Sequence, residues 1–418
     1  MRGRANLTPV DGDLVAPVPP VGGWLQLEPG DNSARVRDAA TALLFRPAVV
    51  RAVVALCQIV ATLYTWNLWQ AREDPPNLPA VGGLAGVSFG VLMVVSAALA
   101  IVMPRAGAAT HAVVLLFAMF GDQFRIQPEF VSLAVVLLAL AFGPVGRTIG
   151  LAHLASLWLW AGLNKALSPS WPVGGAGFIA RSLNLAELRP LVALGLPVFE
   201  FGLGLAACVP RLRRHLMVPA AVLHLAILGT LMLARFNLAV WPWNLALALA
   251  APALLRRQPT PAASTVDAPS AEPAHEPSAI PGADPAGADP TAVSPAAAPE
   301  SGPGNGRADR RSVAVIWAVF LLLPAGFYLG LVDTYLAHNL YSDNTAGMQW
   351  CSASGRCPAP ESTEGRTPLR VPTPPEERIF VAWFEARCAP GDTLLVRVPE
   401  VRIPRANAGS TRYTCPRS

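Results

Sequence analysis

The sequence predicts an all-α polytopic membrane helix bundle of about nine spans, followed by a small disulfide-stapled, β-rich C-terminal extracytoplasmic domain. Three observations lead there. Hydrophobic residues make up 53% of the chain and charged residues only 14%, with a mean hydropathy of +0.41. Apolar runs long enough to approach the roughly 30 Å of a bilayer core recur along the chain. Four of the six cysteines, Cys351, Cys357, Cys388 and Cys415, gather near the C-terminal end.

Residues 1–40 carry Asp11, Asp13, Glu28, Asp31 and many prolines, without the apolar core of a secretory signal, and are expected to form a disordered cytoplasmic leader. The first span then serves as its own targeting signal. An eight-span bundle is expected over 41–257, with runs at 47–69, 80–103, 108–121, 128–143, 145–166, 188–208, 215–235 and 238–255. The third and fourth runs are short for full crossings. A ninth follows at 312–336.

Arginines set the orientation. Arg46, Arg51, Arg105, Arg147, Arg211, Arg213, Arg214, Arg256, Arg257, Arg310 and Arg311 fall on one side when nine crossings are counted. The positive-inside rule makes that side cytoplasmic. The N-terminus is therefore inside and the C-terminus outside, in the inner (plasma) membrane, although Arg72, Arg125, Arg181, Arg189 and Arg235 lie on the opposite face. The net charge of +5 is read as topology, since neither a basic nucleic-acid stripe nor a phosphate-binding glycine loop is present. The lipid bilayer is the partner this composition implies.

Residues 258–311 are expected to be a disordered cytoplasmic linker: Pro/Ala-rich, mildly acidic, and unable to bury a core. Beyond residue 336 the composition becomes that of a small soluble domain, which could meet an extracytoplasmic protein partner. Residues 379–387 and 393–403 read as strands, with imperfect alternation. Four cysteines allow three pairings, of which Cys351 with Cys357 and Cys388 with Cys415 is favoured. The rival is a metal site, which no CxxC pair or nearby histidine supports, so no metal is expected. Cys57 and Cys208 read as apolar packing residues.

Candidate chemistry starts at Lys165, the only lysine among 418 residues. Arginine keeps its proton near neutral pH, whereas lysine is a cation that desolvation can discharge. Glu200 and His224 are ionisable groups inside spans, which makes each a functional hypothesis by default. Each lies twelve positions from a turn centred near Leu212, so they are expected at similar depth and able to pair. Such a pair is either a structural hydrogen bond or a proton relay. Gly195, Gly202 and Gly204 would let those two helices approach closely. At the outer helix ends lie Asp122 and Arg125, Trp160 and Asn164, and Trp241, Trp243 and Asn244. They form either an interfacial aromatic belt or an outward-opening mouth that binds substrate.

The run Ala161-Gly162-Leu163-Asn164-Lys165, followed by Trp171 and Gly174, resembles the helix end of vitamin K-dependent gamma-carboxylases. Asn237 to Asn244 and Asp333 to Asn344 resemble bacterial relatives grouped as the HTTM, gamma-carboxylase-like, membrane family. The short Ala-Gly-x-x-Lys run is also similar to DoxX-like and MauE-like redox-associated membrane proteins. The first resemblance implies a membrane enzyme in which Lys165 is a base acting on a quinol at the outer face, with Asn164, Trp241 and Asn244 orienting the ligand. It departs at Asn164, where the family has a second lysine, and in the size of the outer domain. What carries over is an apolar quinone or quinol, rather than carboxylation of a protein. The second resemblance implies a non-catalytic subunit that anchors an extracytoplasmic partner.

Overall fold

The computed structural model describes residues 45–73, 77–84, 86–256, 309–357, 369–398 and 409–415. The leader, nearly all of the 258–311 segment and the strand expected beyond residue 398 lie outside the described residues.

Eleven α-helices and one three-stranded sheet are present among them. The helices are α1 (Pro47–Tyr64), α2 (Gly90–Val102), α3 (Pro104–Gly121), α4 (Pro128–Ala141), α5 (Gly143–Ala166), α6 (Gly175–Ser182), α7 (Arg189–Cys208), α8 (Met217–Leu233), α9 (Trp241–Leu255), α10 (Arg310–Leu322) and α11 (Glu377–Glu385). Proline opens six of them, at Pro47, Pro104, Pro128, Pro144, Pro190 and Pro242. A first-turn N–H has no intrahelical acceptor, so losing it there costs nothing.

Five segments are long and apolar enough to cross a membrane: 47–64, 104–121, 186–208, 238–255 and 310–327. Three further apolar helices, α2, α4 and α8, are shorter. The 14 residues of α4 rise only about 21 Å, less than a bilayer core. In the expected second span the helix starts only at Gly90, because the stretch before it holds Gly82, Gly83 and a left-handed Gly86. The expected ninth span stops early as well, its helix running to Leu322 with a 3-10 turn to Phe327.

The early stop traces to Pro324. Without an N–H it leaves the Phe320 carbonyl unpaired within the helix, and Ser156 Oγ of α5 donates to that oxygen at 2.6 Å. Residues 328–346 then form an irregular strap, with His338, Tyr341 and Asp343 in the left-handed region. Earlier helices hold it down. Asn164 Nδ2 donates to Ala337 O at 3.0 Å, and Ser170 Oγ donates to Asp343 O at 3.0 Å. The Gly175 N–H donates to Asp343 Oδ2 at 2.5 Å, and Asn237 donates to the Tyr341 hydroxyl.

Helix α5 packs against α4, α7 and α10, while α1 packs against α2, α4 and α9, and α8 lies along α9. Helices α5 and α7 approach closely through two glycines. A Cβ on Gly162 would sit 2.5 Å from Pro197 O, and one on Gly204 would sit 2.4 Å from the Leu159 nitrogen. This corrects the expectation that Gly195, Gly202 and Gly204 draw α7 toward α8. Gly202 has nothing within 4 Å, and Gly195 meets only Leu191 of its own helix.

The C-terminal region holds β1 (Gly347–Cys351), β2 (Thr393–Val398) and β3 (Gly409–Thr414), antiparallel in the order β1-β2-β3. The register sets Gly347 opposite Arg397 and Thr393 opposite Thr414. Disulfides join Cys351 to Cys357 and Cys388 to Cys415. Residues 379–387 are not a strand. Buried Ile379, Phe380 and Phe384 recur at helical spacing, and α11 covers the sheet through Phe380 and Phe384. The region docks on one end of the bundle, where Leu369, Val371 and Ile379 join Leu68, Trp69, Phe124 and Phe130 in one core. Gln127 Nε2 donates to Pro372 O at 2.9 Å, and Arg378 reaches Gln123 and Asp333, each at 2.8 Å.

Candidate functional site

Lys165 and Glu200 form a buried ion pair. Lys165 Nζ lies 2.7 Å from Glu200 Oε2, and both side chains are under a tenth exposed. Local sequence dictates the meeting. Gly162 and Gly204 remove the Cβ atoms that would keep α5 and α7 apart, and Lys165 and Glu200 lie three and four residues away on the same two faces. Because α5 ends at Ala166, alongside the middle of α7, its last turn already lies at the depth of Glu200.

A second proline places the aromatic wall of this pair. Pro197 lacks the N–H that would bond Ala193 O in α7, and Trp171 Nε1 donates to that carbonyl at 2.9 Å. The anchored indole lies with its ring centre 5.7 Å from Lys165 Nζ, a cation–π distance.

The pair lines a cavity of about 60 Å³ whose walls also include Trp158 and Ala161 of α5, Leu223, His224 and Ile227 of α8, Trp243 and Asn244 of α9, Pro128 of α4, and His338 and Tyr341 of the strap. Glu200 and His224 share this cavity but do not pair. Trp158 Nε1, which can only donate, points at His224 Nε2 at 3.2 Å. The proton of His224 is therefore on Nδ1, which donates to Asn244 Oδ1 at 3.2 Å. Asn244 Nδ2 in turn donates to Val240 O at 3.0 Å. Both imidazole nitrogens are occupied, which makes His224 a fixed polar wall. The Trp243 indole N–H is buried in the same lining without a hydrogen-bond partner among the described residues.

A second cavity, of about 170 Å³, lies between α4 and α10, lined by Val131, Val135, His153, Val319, Phe320, Leu323, Tyr335 and His338. Pro128 and His338 belong to both linings. His153 Nε2 is 2.8 Å from Ser132 Oγ, and its ring centre is 5.5 Å from that of His338.

Of the residues expected in the site, Lys165, Glu200, His224, Trp243 and Asn244 come together, while five do not. Asn164 faces the strap, donating to Ala337 O and accepting from the Tyr328 hydroxyl at 2.6 Å. Trp160 donates to Leu321 O at 3.0 Å, and Trp241 donates to Phe236 O at 3.0 Å. Asp122 and Arg125 belong to a separate buried clamp. Asp122 pairs with Arg72 at 2.5 Å, and Arg125 donates to the carbonyls of Leu68, Gln70, Val87 and Ala118 at 2.9–3.3 Å. Burial pulls the Arg125 guanidinium down to about 10, with Asp122 opposing the shift.

Sequence reasoning assigned no role to His338 or Tyr341, although both lie in the Asp333 to Asn344 stretch. Their left-handed backbones, invisible in composition, bring them to the cavity. Among the described residues no cluster of three or more His, Cys, Asp or Glu is placed to hold a metal ion. No family model, curated protein or solved structure matches the chain.

Proposed function

We propose that this chain is an integral membrane protein of about nine crossings whose Lys165–Glu200 pair takes a proton from a weakly acidic O–H of an apolar substrate such as a reduced quinone. The observation that carries the reading is the 2.7 Å ion pair in the wall of a cavity. In the proposed step the substrate O–H bond breaks and the proton passes to the Glu200 carboxylate. The electron pair left on oxygen is held by the Lys165 ammonium, so the site stays neutral overall in a medium that penalises net charge. This moves the base from Lys165, where the carboxylase-like resemblance puts it, to its partner.

Size and polarity support the reading. The first cavity has room for about four to six waters or for the reacting end of a larger molecule. The second, apolar cavity adjoins it and is bordered by Val319 and Leu323, both more than half exposed on the flank of the bundle. An apolar molecule would approach there from lipid. In the proposed orientation the N-terminus is cytoplasmic, the docked C-terminal region is extracytoplasmic, and the membrane is the inner (plasma) membrane.

The test is tryptophan fluorescence of the purified protein in detergent, titrated with a short-chain quinone before and after reduction. Trp158 and Trp243 line the cavity and report occupancy. Saturable quenching weakened in Lys165→Arg is expected, and no saturable quenching in either protein would overturn the quinone reading.

A second reading, a non-catalytic membrane subunit of DoxX-like or MauE-like type serving an extracytoplasmic partner, draws on the C-terminal region anchored to the bundle by Arg378 and Gln127. Under it Lys165→Arg is tolerated and removal of residues 347–418 is the damaging change.

A further inference from the structure

We propose that His338 is the proton carrier of this site, receiving the proton collected at the Lys165–Glu200 pair and releasing it into the second cavity. The proposal rests on reading the first cavity as a proton-transfer site. Its ground is placement, because His338 is the one ionisable side chain common to both linings.

The strap holds the residue but leaves its ring unengaged. The His338 N–H donates to Tyr335 O at 3.3 Å, the Asn339 N–H donates to Thr334 O at 3.1 Å, and Asn164 takes the Ala337 carbonyl. The imidazole makes a ring contact with His153 at 5.5 Å and no hydrogen bond to any described residue. The residue is partly buried, and its ring nitrogens stay open to a polar partner in the cavity. His224 cannot serve instead, because Trp158 and Asn244 occupy both of its nitrogens.

The ionisable groups facing His338 are His153 and Lys165 from α5, Glu200 from α7, His224 from α8, and Tyr335 and Tyr341 from the strap. Helices α4, α9 and α10 add none to either lining. His338 holds the transferred proton only in passing. In the transfer, the proton on Glu200 moves to one ring nitrogen, directly or through a water in the first cavity, and the carboxylate is regenerated. The other ring nitrogen then releases a proton toward His153 or water in the second cavity. One proton enters and one leaves, with no redox change, and the histidine must switch tautomer in each cycle.

The experiment is nitrogen NMR of the full-length protein in lipid nanodiscs, with the histidine rings labelled, near pH 7. His338→Gln identifies the His338 signals by their loss. The expected result is a His338 ring exchanging between its two neutral tautomers, with populations that change in Glu200→Gln, beside a His224 ring fixed with its proton on Nδ1. A single His338 tautomer, the same in wild type and Glu200→Gln, would overturn the proposal. Should Glu200→Gln fail to fold, the infrared carboxyl band of Glu200, compared between wild type and His338→Gln, decides instead, and an unchanged band overturns it. Coupled His338 exchange without quinone binding would remove the substrate reading and keep the proton path. Quinone binding with an uncoupled His338 would do the reverse.

Discussion

Lys165 and Glu200 meet across 2.7 Å at the point where two glycines let α5 and α7 touch backbone to backbone. Removing one partner of a buried pair leaves the other charge uncompensated, at a cost of about 3–5 kcal/mol. Glu200→Leu and Lys165→Met should each lose that much, whereas the variant carrying both should fall close to wild type. Denaturant unfolding in detergent measures all three. A double variant as unstable as the sum of the singles would show that the two side chains do not act as a pair.

The glycines give a sharper contrast. Gly204→Ala places a methyl group 2.4 Å from the Leu159 nitrogen, which must push the helices apart at about 1–3 kcal/mol or more. Gly202→Ala meets nothing within 4 Å and replaces a poor helix former, so it should be neutral or stabilising by about 0.5–1 kcal/mol. Thermal melts of the two variants should therefore move in opposite directions.

Arg125 belongs to the frame rather than the site. Its guanidinium spreads over four backbone carbonyls, which a lysine ammonium cannot reproduce. Each lost charge-assisted bond is worth about 1.5–3 kcal/mol, so Arg125→Lys should destabilise clearly while leaving quinone quenching unchanged in whatever protein folds. Weaker binding at normal stability would return Arg125 to the ligand.

The C-terminal sheet carries its own acid sensitivity. Asp392 accepts from the Ala389 and Ala353 N–H groups and the Trp350 indole, and these bonds, that of Ala389 foremost, hold its carboxyl below the usual range. A carboxyl depressed in the folded state contributes stability that is complete above its unfolded value of about 4 and disappears as pH falls through the folded one. Trp350 fluorescence should report loosening of the sheet in that window, with a flatter profile for Asp392→Asn. An identical profile would assign the acid transition to other groups.

How much of this could be read beforehand follows from range. Apolar runs and opening prolines are local, and the helices start near where such signals place them. The two disulfides follow the pairing favoured among the three that four cysteines allow. The partner of Glu200 was not local information. The spans carrying Glu200 and His224 are expected to pair, but α7 lies on α5 and α8 on α9. The signal was present in Gly162 and Gly204, spaced from Lys165 and Glu200 so as to share their faces. Similarly, Pro324, Gly326 and Gly330 marked the end of the last helix, and the i, i+4 pair Phe380 and Phe384 marked α11 as a helix. In each case glycine and proline chemistry or side-chain spacing, rather than overall hydrophobicity, decides the local structure.

The strap has one more consequence, which concerns the order in which the chain is made. Its anchors are Asn164, Ser170, Gly175 and Asn237, all synthesised well before residue 328. These partners all sit on or just beyond earlier helices, so the strap settles onto a bundle that already stands. Helices α5 and α7 bring Lys165 and Glu200 together, and the later-made strap then roofs them over. A nascent chain halted before Arg310 would hold the ion pair without His338 and Tyr341, so the complete cavity belongs only to a chain that has been translated past the strap.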